Sequence, residues 1–166
     1  MKRLFIVFAV VSTLGINAMQ AQEMRKGMGL FNAGLGFVPG WGLNASFDYG
    51  IIDTWGPGIF TVGGYVGFAN WRGIYVGQYR KEAINAFAFA PRATYRYAIN
   101  NQFEVFGAAM MGAIHHSYSD DYKNKNRPFY TTTLGCRYTF TGNISIFAEM
   151  GFNEISYLNG GLCFSF

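Results

Sequence analysis

From residue 27 onward, polarity alternates with a period of two through eight separate runs. Phe31, Ala33, Leu35 and Phe37 alternate with Asn32, Gly34 and Gly36, and Leu43 to Ile51 repeat the pattern around Asn44, Ser46 and Asp48. Further runs span 60–68, 87–97, 104–113, 130–140, 144–153 and 157–166. The contrast is weakest in 104–113, where both phases are largely apolar. Strict alternation places successive side chains on opposite faces of a strand, whereas a helix would repeat every 3.6 residues. Eight such runs predict an all-β chain. Each is close to the ~9–11 residues that a tilted strand needs to cross a bilayer.

Alternation alone does not separate a soluble β-barrel from a membrane barrel, because both have one apolar and one polar face. Composition separates them. Hydrophobic residues make up 51% of the chain and charged residues only 13%, against about 25% charged in an average soluble domain. The polar phase holds Asp48, Arg92, Arg96, Glu104, Arg137 and Glu149 among glycines and threonines, which suits a narrow interior better than a solvated exterior. Aromatics fall at run ends, at Phe37, Tyr49, Phe60, Phe68, Tyr130, Tyr138, Phe140 and Phe152, as interfacial girdles require. Trp41, Trp55 and Trp71 sit at connections, where interfacial anchoring is expected. Connections at 53–57, 98–102 and 141–143 are short, while those at about 70–83 and 115–128 are long. Short turns at one end and long loops at the other are the layout of an outer-membrane barrel. The expected fold is therefore an eight-stranded antiparallel up-and-down transmembrane β-barrel, with both termini periplasmic.

The N-terminal residues read as an export signal. Lys2 and Arg3 precede the apolar stretch Leu4–Val11, and small residues follow at Ala18 and Ala21. The apolar stretch is too short to span a bilayer as a helix. Residues 1–21 are expected to be cleaved, leaving 22–166 as the barrel domain. The formal charge of +4 then falls to a small excess, 11 basic residues against 9 acidic. That balance lacks the clustered basic face of a nucleic-acid binder. Cys136 and Cys163 fall in opposite strand phases, so a disulfide between them is not expected, and no cysteine–histidine cluster has zinc spacing. Neither metal nor cofactor is expected.

The last run, Asn159-Gly160-Gly161-Leu162-Cys163-Phe164-Ser165-Phe166, ends as outer-membrane assembly signals do: Asn159, Gly161, Phe164 and terminal Phe166 fit that pattern. Taken with the export signal and the eight runs, the chain resembles the small OmpA/OmpX-type eight-stranded barrels over essentially its whole mature length. The resemblance implies an integral outer-membrane protein inserted by the barrel assembly machinery. It implies no single activity, since one fold hosts many functions.

Strand phase also nominates sites. Folding the fourth and fifth runs about Asn100 places Arg96 opposite Glu104, and folding the sixth and seventh about Gly142 sets Arg137 diagonal to Glu149. Opposite charges at such positions attract, and buried charges need partners. An eight-stranded interior is just wide enough for its own side chains, so a structural polar plug is expected in preference to an ion path. Arg72, Arg80 and Lys81 in one long loop, and Lys123, Lys125 and Arg127 in the other, suit the phosphates of outer-membrane lipids, lipopolysaccharide included. The loop sequence His115-His116-Ser117-Tyr118-Ser119-Asp120-Asp121 has the residue types of a hydrolytic or metal site, but composition does not establish the mutual geometry that defines one. The expected role is a monomeric, non-enzymatic envelope or surface-interaction (adhesion-like) protein. A narrow pore or small-molecule conduit and a lipid A-modifying enzyme are the competing readings.

Overall fold

Alternating phase becomes a closed wall in the computed structural model, which describes residues 24–37, 40–54, 57–74, 81–118, 125–151 and 155–166. The side chains of 72–74 and 81–83 lie outside the description. Eight strands follow in order: β1 (Gly29–Phe37), β2 (Trp41–Asp53), β3 (Gly58–Ile74), β4 (Lys81–Ala98), β5 (Phe103–Tyr118), β6 (Lys125–Thr141), β7 (Ile144–Gly151) and β8 (Leu158–Ser165). Each pairs antiparallel with the next, and β8 returns to β1 to close the barrel. The expected fold class is therefore the observed one. The proposed export signal, residues 1–21, lies outside the described residues.

The phases fall as the sequence predicts. Phe31, Leu35, Leu43, Phe47, Val62, Phe89, Tyr95, Met111, Leu134, Ile146, Leu162 and Phe164 face outward and exposed. The six charged residues of the polar phase are all buried in the lumen. On β4 the outward apolar series runs from Phe87 to Tyr97, and Asn85 follows it. On β5 the series ends at Ala113 and His115 follows. Two cross-strand polar pairs mark this upper border on the outer face: Asn70 Nδ2 donates to Asn85 Oδ1 at 2.7 Å, and His115 Nδ1 lies 2.6 Å from Asn126 Oδ1.

Strand ends depart from expectation. The segments assigned to long loops are mostly strand: β3 continues to Ile74 and β4 begins at Lys81, while β5 continues to Tyr118 and β6 begins at Lys125. Their pairing persists to Ile74↔Lys81 and His116↔Lys125. Beyond the apolar belt the outward positions turn polar, as at Asn70, Asn85, His115 and Asn126, so alternation disappears from the sequence while the hydrogen-bond ladder continues. One register is also corrected. Arg96 stands opposite Phe106, and Glu104 opposite Ala98. The physical reason is the turn, where Asn100 Oδ1 accepts from the backbone N–H groups of Gln102 and Phe103 and centres the hairpin one residue later. The Gly142 fold is as expected, with Arg137↔Phe147 and Gly135↔Glu149.

Packing inside the barrel explains much of the glycine. Phe106 lies over Gly135, where an added Cβ would fall 2.4 Å from the ring. The Phe147 ring similarly occupies the space beside Gly34. Apolar clusters sit to either side of the charged layer. Tyr65, Ala69, Ala86, Ala88, Ala90, Met110, Ile114, Phe129 and Ile155 form one near the long-strand end. Met24, Leu30, Ile59, Phe147 and Cys163 form the other. Trp71 packs inward against the first cluster and against His116, so it is not the interfacial anchor expected of it. Trp41 is outward and exposed, and Trp55 lies outside the described residues.

Candidate functional site

The central layer of the lumen is a linked chain of six charged side chains from five strands. Asp48 comes from β2, Arg92 and Arg96 from β4, Glu104 from β5, Arg137 from β6 and Glu149 from β7. Each is inward because its strand phase makes it so. Arg92 reaches across the lumen to Glu149 with two bonds, Nη2 to Oε2 at 2.8 Å and Nη1 to Oε1 at 3.3 Å. Its Nε lies 3.4 Å from Asp48 Oδ1. Arg96 holds Asp48 Oδ2 at 2.6 Å through Nη2 and Glu104 Oε1 at 2.7 Å through Nη1. Arg137 Nη2 takes the other oxygen of Glu104 at 2.7 Å. Glu104 is thus shared by two guanidiniums.

Sequence phase brings all six together, but it pairs them incompletely. Arg96 with Glu104 is realised, diagonally rather than face to face. Glu149 is held by Arg92 on a distant strand rather than by its near neighbour Arg137. The neutral members were not foreseen. Thr94 Oγ1 accepts from Arg92 Nε at 3.1 Å and donates to Asp48 Oδ1 at 3.2 Å. Asn32 Nδ2 donates to Ser46 Oγ at 2.9 Å and approaches Asp48 Oδ2 at 3.4 Å. Phe106 offers its ring face to Arg96 and Arg92, at 4.8 and 5.8 Å from the centroid, a cation–π contact strengthened by exclusion of water. Their inward phase was the available signal. Three cations and three anions leave the layer neutral. Such an arrangement braces distant strands, because paired buried charges lose their compensation when one partner is removed.

The other nominated residues are placed as follows. Asn159 is buried, accepting from Asn44 Nδ2 at 2.9 Å and from the Ser156 hydroxyl. Gly161 stands opposite Gly34 in the closing seam, where an added Cβ would sit 2.1 Å from the Ala33 carbonyl oxygen. Phe164 and Phe166 face outward, and Phe166 stacks on Phe47 with centroids 6.1 Å apart. Lys125 and Arg127 are exposed at the start of β6, on strand rather than loop. Arg72 lies on β3 and Lys81 on β4, with side chains outside the description, and Arg80 and Lys123 fall outside the described residues altogether.

The His115–Asp121 loop reading is corrected. Residues 115–118 belong to β5, so His115 faces out and His116 faces in, buried beside Trp71. Strand geometry therefore separates the two imidazoles onto opposite sides of the wall. Ser119, Asp120 and Asp121 lie outside the described residues. Cys163 is buried inside, while Cys136 lies in the outward phase, and both thiols are free.

A closed barrel whose exterior is apolar and whose interior carries paired charges inverts the polarity of a soluble barrel. It has the build of the small transmembrane β-barrels. Among solved structures the chain is similar to Ail, the attachment invasion locus protein of Yersinia pestis, and to the same protein in complex with the heparin analogue sucrose octasulfate. In each case identity is 14%, the match covers 84% of this chain and 95% of the other, and the TM-score is 0.41. No protein-family model matches the chain, and no curated protein matches it.

Proposed function

We propose that this protein is an integral outer-membrane barrel, non-enzymatic and non-conducting, that presents a projecting sheet to the exterior for adhesion-like contact. The observation carrying the reading is the continuation of β3 to β6 as paired strands past the polar border at Asn70, Asn85, His115 and Asn126. From Asn85 to the start of β4 at Lys81 this adds roughly 13 Å along the strand at ~3.3 Å per residue. A paired sheet holds side chains in a fixed pattern, which an unpaired loop of equal length does not. Exposed Lys125, Asn126 and Arg127 sit on it, and the cations suit lipopolysaccharide phosphates at its base. Export, assembly-machinery recognition of the Asn159–Phe166 strand, periplasmic termini and a monomeric state belong to the same proposal.

The test is expression of the chain in a non-adherent Gram-negative host, with and without residues 72–82 and 117–127 trimmed. Gain of adhesion to cells or matrix by the full chain, lost on trimming while the barrel keeps its heat-modifiable gel mobility, is the expected result. Adhesion unchanged by trimming refutes it. The pore reading is separated by planar-bilayer recording: the filled lumen predicts silence, and steady discrete openings overturn it. The lipid A-modifying reading is separated by mass spectrometry of lipid A, which is expected to be unaltered.

A further inference from the structure

The chain ahead of β1 does not trail away from the barrel. Met24 is buried, 6% exposed, among Leu30, Ile59, Phe147 and Cys163, inward side chains of β1, β3, β7 and β8. Residues near a chain end stay poorly ordered unless something ties them down, and here the ties are specific. Met28 N–H donates to the Arg25 carbonyl at 3.1 Å, closing a four-residue turn with Gly27 in its third position. Gly27 has φ 88°, a conformation that glycine adopts without strain and L side chains do not. Gly27 N–H donates to the Gly50 carbonyl at 2.9 Å, and Gly50 N–H donates to the Met28 carbonyl at 2.9 Å. Two residues thus oppose one, a glycine-first bulge that bends the chain off the β1–β2 ladder. Lys26 N–H donates to Asp53 Oδ1 at 3.1 Å. Gly50 also lets the turn lie close, since an added Cβ there would stand 2.5 Å from the Arg25 carbonyl oxygen and 2.8 Å from Ile59 Cδ1.

Position gives this arrangement a role. Asp53, one of its ties, is the last residue of β2 before the short turn to β3, so Met24 enters the lumen at the short-turn end. Cys163, in the same cluster, stands opposite Asn32, whose amide approaches Asp48 Oδ2 of the charged layer at 3.4 Å. We propose that residues 24–28 form a strap whose Met24 side chain stoppers the lumen, and that release of the strap from Gly50 opens a path for small solutes to Cys163 and the charged layer. Methionine suits a stopper, because its flexible apolar chain fills irregular gaps. Keeping water out preserves the strength of the hydrogen-bonded ion pairs above it. Three hydrogen bonds tie the strap to β2 among the described residues, whereas each strand is held by a ladder on both sides. Segments with few ties open at lower free energy than the whole fold, so the strap can open while the barrel stays closed. The proposal rests on lumen geometry and is independent of the adhesion role and of the membrane placement.

The experiment uses the folded barrel in detergent micelles, carrying Cys136→Ser so that Cys163 alone reports. It is treated with methyl methanethiosulfonate, a reagent smaller than any maleimide, at urea concentrations well below the unfolding midpoint, and modification is read by mass. Cys163 should react slowly while the strap is intact. Gly27→Ala should raise the rate about tenfold, the shift that ~1.4 kcal/mol of left-handed strain produces. Met24→Gly should raise it further, and Met24→Leu, which nearly conserves volume, should keep the protection. Hydrogen exchange gives a second reading: in Gly27→Ala the Gly50 amide should exchange faster, with the Phe47 amide unchanged. Protection of Cys163 unchanged in Gly27→Ala and Met24→Gly, reaction of the intact barrel at the rate of a free thiol, or rates that follow global unfolding in every variant would each overturn the proposal.

Discussion

Replacing Glu104 by alanine strikes the lumen layer at its most connected carboxylate. Arg96 and Arg137 each hold one of its oxygens at 2.7 Å, and all three residues are nearly devoid of solvent contact. Arg96 keeps Asp48 at 2.6 Å, so the principal loss falls on Arg137. The layer also changes from neutral to one net positive charge. Removing one partner of a buried pair costs about 3–5 kcal/mol, chiefly because a charge is left uncompensated. Glu104→Gln keeps the shape and one acceptor, and should cost less, about 1–3 kcal/mol. The double variant Glu104→Met/Arg137→Met removes both charges and should recover most of the loss, since apolar replacement of a whole buried pair is often neutral. Stability is read by urea titration in lipid vesicles, following Trp41 fluorescence as it leaves the lipid-facing belt, with gel mobility as a second probe. A Glu104→Ala loss below about 1 kcal/mol, or a double variant no better than the single, would refute the idea that charge compensation holds the strands together.

The closing seam makes a second prediction. Gly161→Ala places a Cβ against the Ala33 carbonyl and Gly34 Cα and should sharply reduce folded yield, whereas Gly64→Ala, whose nearest neighbour is 4.0 Å away, should fold normally. Equal yields on gels would show that the seam has room to relax. Thiol labelling supplies a third. A membrane-soluble maleimide should modify outward-phase Cys136 in the folded barrel and reach buried Cys163 only after unfolding, and rapid modification of both would contradict the assigned faces.

How much of this was legible in the sequence depends on which physical rule leaves a trace there. Face assignment is written in the period of two, so Arg92, Arg96, Glu104, Arg137 and Glu149 were all correctly directed inward. Strand ends leave no such trace where the outward positions turn polar, so Arg72, Lys81, Lys125, Arg127 and His115 read as loop. Cross-lumen partners depend on barrel diameter and stagger. Only adjacent runs can be folded together on paper, and so Arg92 with Glu149 stayed hidden. The Arg96 register failed for a smaller reason, one side-chain amide at Asn100 widening a turn.

The eight seams of the barrel are unequal in what they ask of the chain. Seven join consecutive strands, while the eighth joins residues near opposite ends of the sequence, as Leu30↔Ser165 does. Loop-closure entropy rises with separation, so the hairpin seams are favoured to form first, leaving an open sheet with β1 and β8 as raw edges. Raw edges invite pairing with other chains. These two are built from Gly34, Gly36, Gly160 and Gly161, residues of poor strand propensity. Their backbones fit closely against each other, as an added Cβ at Gly161 would meet the Ala33 carbonyl. A glycine-rich edge specifies its register only weakly, so the same glycines that let the barrel close leave the unclosed sheet dependent on prompt closure.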